Sequence, residues 1–93
     1  MNIEEIREKI LPILKKYKVK RAGIFGSMAR NEETEKSDID ILVELPDEAS
    51  LLDLVGLKME LEEVLRKKVD VLTYDSIYLP LREPILSEEV AIL

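Results

Sequence analysis

A chain of 93 residues, 46% hydrophobic and 37% charged, has the composition of a folded domain and room for one core, which excludes a deep, multi-walled site built from this chain alone. Its net charge of −6 repels phosphate backbones and acidic membranes, so generic nucleic-acid or membrane binding is disfavoured and a phosphate ligand needs a metal ion as mediator. With no cysteine and no histidine, disulfides, thiolate nucleophiles, zinc-thiolate sites and imidazole bases are all excluded, and any chemistry must run on oxygen ligands.

Asn2 is a cap candidate for a first helix over about residues 3–17, because Ile3, Ile6, Ile10, Ile13, Leu14 and Tyr17 recur at helical spacing. Pro12 removes one backbone donor inside that span, and a bend or two abutting helical pieces is expected there. Arg21-Ala22-Gly23-Ile24-Phe25 reads as a short strand that stops at Gly26. Gly26-Ser27 then opens a helical turn, Met28-Ala29-Arg30, and Glu32, Glu33, Glu35 and Lys36 read as a solvated loop.

Asp38-Ile39-Asp40-Ile41-Leu42-Val43-Glu44-Leu45 is rich in β-formers and ends at the turn signal Pro46-Asp47. Ser50 with Asp53 makes a capping-box start for a helix running to about Arg66, with Leu54, Leu57, Leu61, Val64 and Leu65 as its core stripe. Leu51, Leu52, Val55 and Met59 widen its apolar surface beyond what one sheet face requires, which a larger core or an interface explains equally well. Val69-Asp70-Val71-Leu72-Thr73 reads as a strand parallel to the preceding one, since a helix separates the two. Pro80 and Pro84 bracket a last helical turn or two around Leu81–Leu86, and Val90–Leu93 is an apolar tail. The order predicts one domain over residues 1–93, of α+β (α/β-like) class, with a small mixed sheet of three to four strands flanked by helices.

Three features carry the candidate chemistry. Asp38 and Asp40 share one face of a strand through its period of two, and two carboxylates on one face repel unless a cation or proton lies between them. Magnesium is the hard cation suited to such ligands. Asp70, if its strand is a neighbour, supplies a third carboxylate of the kind a two-metal phosphoryl or nucleotidyl transfer site requires; an ordinary strand-edge aspartate is the plainer alternative. The Gly26-Ser27 turn offers close backbone approach, a hydroxyl and free N–H groups to phosphate oxygens, although an isolated Gly-Ser is as often a simple helix cap. Each signal is weak singly. Ten residues separating Ser27 from Asp38, followed by Asp70, make the combination specific where its parts are not. No Gly-Lys-Ser/Thr follows, so this is not a Walker P-loop.

Gly26-Ser27-Met28-Ala29-Arg30, Ser37-Asp38-Ile39-Asp40 and Val69-Asp70-Val71 resemble the minimal nucleotidyltransferase (MNT) branch of the DNA polymerase β-type nucleotidyltransferase superfamily. The similarity runs over nearly the whole chain, from the leading helix to the Leu81-Arg82-Glu83 segment; Asn31 stands where a glycine is common. The resemblance implies a nucleotidyltransferase fold and the antitoxin of a type VII HEPN/MNT toxin–antitoxin pair. Such a protein moves AMP from ATP onto a tyrosine of a HEPN-family RNase toxin, releasing pyrophosphate, in a hetero-oligomer with that toxin. It further implies that Gly26, Ser27, Arg30 and Ser37 contact the nucleotide. Asp38, Asp40 and Asp70 would ligate two Mg²⁺ ions, with Asp70 helping to deprotonate the acceptor hydroxyl. A non-catalytic antitoxin that masks its toxin, and a nucleotidyltransferase for a small molecule such as an aminoglycoside, are the rival readings. The acidic, polar N-terminus and the lack of a long apolar run lead to the expectation of a cytoplasmic protein.

Overall fold

The structure, a computed structural model, describes residues 2–26, 28–30 and 37–93. Ser27 and the Asn31–Lys36 segment, with the solvated loop expected there, lie outside the described residues. Helix α1 spans Ile3–Lys16 and is started by Asn2, whose side chain accepts the Glu5 N–H at 2.8 Å. Ile6, Ile10 and Leu14 are fully buried along its inner stripe. The break expected at Pro12 does not divide it: Pro12 lies exposed within one continuous helix, where the missing donor is on the solvent side and the buried stripe is untouched.

Among the described residues the sheet has four strands, β1 (Arg21–Phe25), β2 (Ile39–Glu44), β3 (Val69–Thr73) and β4 (Val90–Ala91), in the order β3-β2-β1-β4. β1 pairs antiparallel with β2 and with β4, while β2 and β3 run parallel, joined through α2 (Leu51–Leu65). The mixed α+β sheet is the one expected, and α2 begins with the reciprocal Ser50–Asp53 capping box. Two elements exceed the expectation. The final helix, α3 (Leu79–Glu88), runs ten residues because Pro80 sits in its first turn, where a proline has no donor to lose, and Pro84 is carried inside. The apolar tail contributes β4, an edge strand too short to show a periodicity in sequence.

Strand alternation divides the sheet into two faces. Ala22, Ile24, Ile39, Ile41, Val43 and Val69 join the buried stripes of α1 and α2 in one core with Leu57, Leu61 and Leu65. The other face carries Gly23, Phe25, Asp40, Leu42, Asp70 and Leu72. The α1–α2 seam is closed by Glu60, which accepts a hydrogen bond from Tyr17 Oη and pairs with Lys16 Nζ at 2.9 Å.

Leu61 is fully buried, whereas Met59 on the same helix is 64% exposed. Leu61→Ala is expected to destabilise the fold by about 3 kcal/mol through lost transfer energy and a residual cavity. Met59→Ala should stay within about 0.5 kcal/mol of the parent. Urea denaturation checks both through the transition midpoint.

Candidate active site

The sheet register brings two of the three predicted carboxylates together. Asp40 on β2 is the partner of Asp70 on β3, and both lie on the sheet face opposite α1 and α2. Neighbouring strands lie about 4.8 Å apart, so carboxyl groups at matched positions meet directly. The apolar residues on each side of Asp40 fix this register, since a one-residue slip would turn Ile39 and Ile41 out of the core. Asp38 stands immediately before β2 and acts on Asp40 through space.

Asp40 feels the crowding. Partial burial, then repulsion and hydrogen bonding from Asp70, then the charge of Asp38 push its carboxyl up to about 6, against a smaller opposing pull from Arg30. Among the described residues the side chains as they stand form no compact group of three or more ligands. What is built is a tight Asp40–Asp70 pair with Asp38 adjacent, an all-oxygen donor set whose repulsion a hard divalent cation would relieve.

On the other side of Asp40, β1 ends at Phe25, its partner in the antiparallel register, and the chain turns at Gly26. Gly26 has φ +74°, and a Cβ there would lie 2.2 Å from Asp40 Oδ2. Glycine is therefore required twice, for the left-handed backbone and for the space the carboxylate occupies. The turn closes with Arg30 N–H donating to the Gly26 carbonyl at 3.2 Å, while Met28 is buried in the core and anchors it. The Gly26 turn and the Asp40–Asp70 pair, separate in sequence, thus converge at one end of the sheet.

Arg30 carries its guanidinium to Glu88 of α3, with Nη1 2.9 Å from Oε2. Ser37 is half-buried, and its carbonyl accepts from Lys67 Nζ at 3.1 Å, which ties the start of β2 to the loop before β3. Ser27, the remaining predicted phosphate ligand, is outside the described residues. A groove of about 630 Å³ lies at the opposite end of β2 and β3, lined by Glu44, Pro46, Ser50, Leu54, Thr73 and Tyr74 among others; its lining does not include Asp38, Asp40 or Asp70.

The family model described as Polymerase beta, Nucleotidyltransferase matches residues 8–93. The chain belongs to this nucleotidyltransferase family. A relative from Methanocaldococcus jannaschii, provisionally named a protein adenylyltransferase, is 66% identical over 93 residues, covering 100% of both chains. A solved structure provisionally described as a minimal nucleotidyltransferase superposes with a TM-score of 0.84 at 35% identity, covering 97% of this chain and 95% of the other. A chain from the complex of a tri-AMPylated Shewanella oneidensis HEPN toxin with an MNT antitoxin has the same fold, with a TM-score of 0.74 at 22% identity, covering 97% of this chain and 71% of that one. As a member of this family the chain is a nucleotidyltransferase, and its α+β fold is that of the minimal members.

The raised Asp40 carboxyl has a consequence for metal-free protein. Its folded-state value of about 6 lies above the ordinary 3.8, so the native state holds its proton more tightly than the unfolded chain does. Stability from this group is present below about pH 4 and is lost as pH rises through 6. Asp40→Asn removes the repulsion, so in EDTA its advantage over the parent is expected to grow between pH 4 and 7 to about 1 kcal/mol, allowing for solvent screening of a half-exposed group. Thermal melts across that range check the sign.

Proposed function

We propose that this chain is the antitoxin of a toxin–antitoxin pair, a protein adenylyltransferase that moves AMP from ATP onto a tyrosine of a HEPN-class toxin. The observation that carries the reading is the matched Asp40–Asp70 pair beside the Gly26 turn, in a chain of the nucleotidyltransferase family. The names of its relatives support the adenylyl group, and a fold neighbour's tri-AMPylated partner supports the toxin as acceptor.

In this reading Gly26 and Ser27 hold the β- and γ-phosphates through the turn's N–H groups and hydroxyl, and Arg30 steadies the triphosphate from its charged side. Ser37, next to Asp38 in the chain, would contact the nucleotide at the same site. Asp38, Asp40 and Asp70 would hold Mg²⁺; bound there, two ions would align the attacking oxygen with the α-phosphorus and neutralise the departing pyrophosphate. Asp70 is exposed, so an acceptor on another protein can reach it, and its carboxylate would take the hydroxyl proton as the new O–P bond forms and the bond to pyrophosphate breaks. Positioning and electrostatics do most of the work, and no covalent enzyme intermediate is required.

The shape of the domain favours a macromolecular acceptor. Helix α2 presents Leu51, Leu52, Val55 and Met59 to solvent, each at least 46% exposed, the kind of patch that marks a protein contact. Among the described residues no helix is long and apolar enough to cross a membrane; a cytoplasmic site of action forms part of the proposal.

Incubation with labelled ATP, Mg²⁺ and the product of the adjacent gene tests the reading. Label should appear on the partner, and Asp38→Ala or Asp40→Ala should lower its rate by at least about a thousandfold. Toxin neutralisation that survives these substitutions without any label would replace catalysis by masking. EDTA should abolish labelling in the parent.

A further inference from the structure

The C-terminal end of α3 places two consecutive carboxylates with different surroundings. The Glu89 side chain is only 6% exposed, and it receives hydrogen bonds from Tyr74 Oη and, at 3.2 Å, from Arg21 Nη2. The Arg21 guanidinium in turn stacks 4.4 Å from the centre of the Tyr74 ring. Glu89 fits only because Gly23 lacks a side chain, since a Cβ there would lie 2.1 Å from Glu89 Oε2. Immediately beyond, β4 pairs with β1, and both Ile92 N and Leu93 N donate to the Ala22 carbonyl. The backbone at Glu88 is thereby anchored to the sheet through the residue that follows it.

Glu88 uses that fixed origin to reach across to the nucleotide turn, meeting Arg30 at 2.9 Å. Both partners are about two-fifths exposed, 42% and 39%, and an ion pair so placed contributes little to folding stability. Its location is more informative than its strength. Arg30 closes the Gly26 turn through its own N–H, and its guanidinium is near enough to act on the Asp40 carboxylate. Ordering a long, rotamer-rich arginine when a ligand binds carries an entropic cost, and an ion pair to an anchored partner lowers it in advance.

We propose that Glu88 is a positioning residue for Arg30, holding its guanidinium on the Gly26 turn in the orientation that receives the triphosphate. The inference rests on the nucleotide reading of the Gly26 turn. It assigns α3 and the C-terminal strand, which contribute no carboxylate to the site itself, the role of a frame for the phosphate-binding side.

A double-mutant cycle tests it, with binding of a non-hydrolysable ATP analogue measured on the chain alone and KM and kcat measured with the partner as acceptor. Glu88→Ala and Arg30→Ala should each weaken analogue binding and raise the KM for ATP by about five- to tenfold, and Glu88→Ala should leave kcat within about twofold and the melting temperature unchanged. Glu88→Gln, which keeps an acceptor, should fall between Glu88→Ala and the parent. In the Arg30→Ala background, Glu88→Ala should add nothing. Parent-like binding by Glu88→Ala, or losses that add in the double variant, would overturn the assignment of Glu88 while leaving the site intact. An unmutated chain that neither binds the analogue nor transfers AMP would instead remove the nucleotide reading, and the role of Glu88 with it.

Discussion

The alternation of β2 is the constraint on which the rest depends. Ile39, Ile41 and Val43 must enter the core formed with α1 and α2, and that requirement leaves Asp40 on the opposite face. Parallel pairing with β3 obeys the same rule, burying Val69 and setting Asp70 opposite Asp40. Hydrophobic burial thus forces together two carboxylates that repel each other. The fold contributes the apolar energy that holds them there, and their repulsion is what a divalent cation would relieve. A relaxed register would lower the repulsion and lose the site.

Around this pair the chain adds devices that each answer a specific physical need. Gly26 answers two, a left-handed turn and the volume taken by the Asp40 carboxylate. Gly23 answers another, since its missing side chain admits the Glu89 side chain that docks the end of α3. Burial and the bond to Glu89 both push the Tyr74 hydroxyl well above its ordinary range, so it remains a neutral donor to that carboxylate. Both glycines of β1 and its turn therefore serve the carboxylates above them rather than general flexibility.

Much of this was legible in the sequence because it depends on local pattern. The Asn2 and Ser50 caps, the stripe of α1, the core residues Leu57, Leu61 and Leu65 of α2, and the parallel relation of β2 and β3 all follow from spacing and side-chain chemistry. The less legible parts depend on tertiary context. β4 is two residues long and is a strand only because β1 offers it an open edge. Pro12 and Pro84 look like breakers in sequence, yet Pro12 is harmless where its lost donor faces solvent. At the candidate site the sequence marked Asp38, Asp40, Asp70 and Gly26 as chemically suited to one another, and the register accounts for how Asp40 and Asp70 meet. Neither Glu88 nor Glu89 could be singled out among 20 acidic residues, because their partners Arg30, Arg21 and Tyr74 are distant in the chain.

In the proposed function, nucleotide and metal bind at one end of the sheet, between the Gly26 turn and the Asp40–Asp70 pair. A crystal grown with a non-hydrolysable ATP analogue and Mn²⁺ tests it most directly, through the anomalous signal of the metal. Metal peaks are expected within coordination distance of Asp38, Asp40 and Asp70, with the triphosphate running over Gly26 toward Arg30. Metal or nucleotide located instead in the groove at the opposite end of β2 and β3, with the aspartates unengaged, would contradict it.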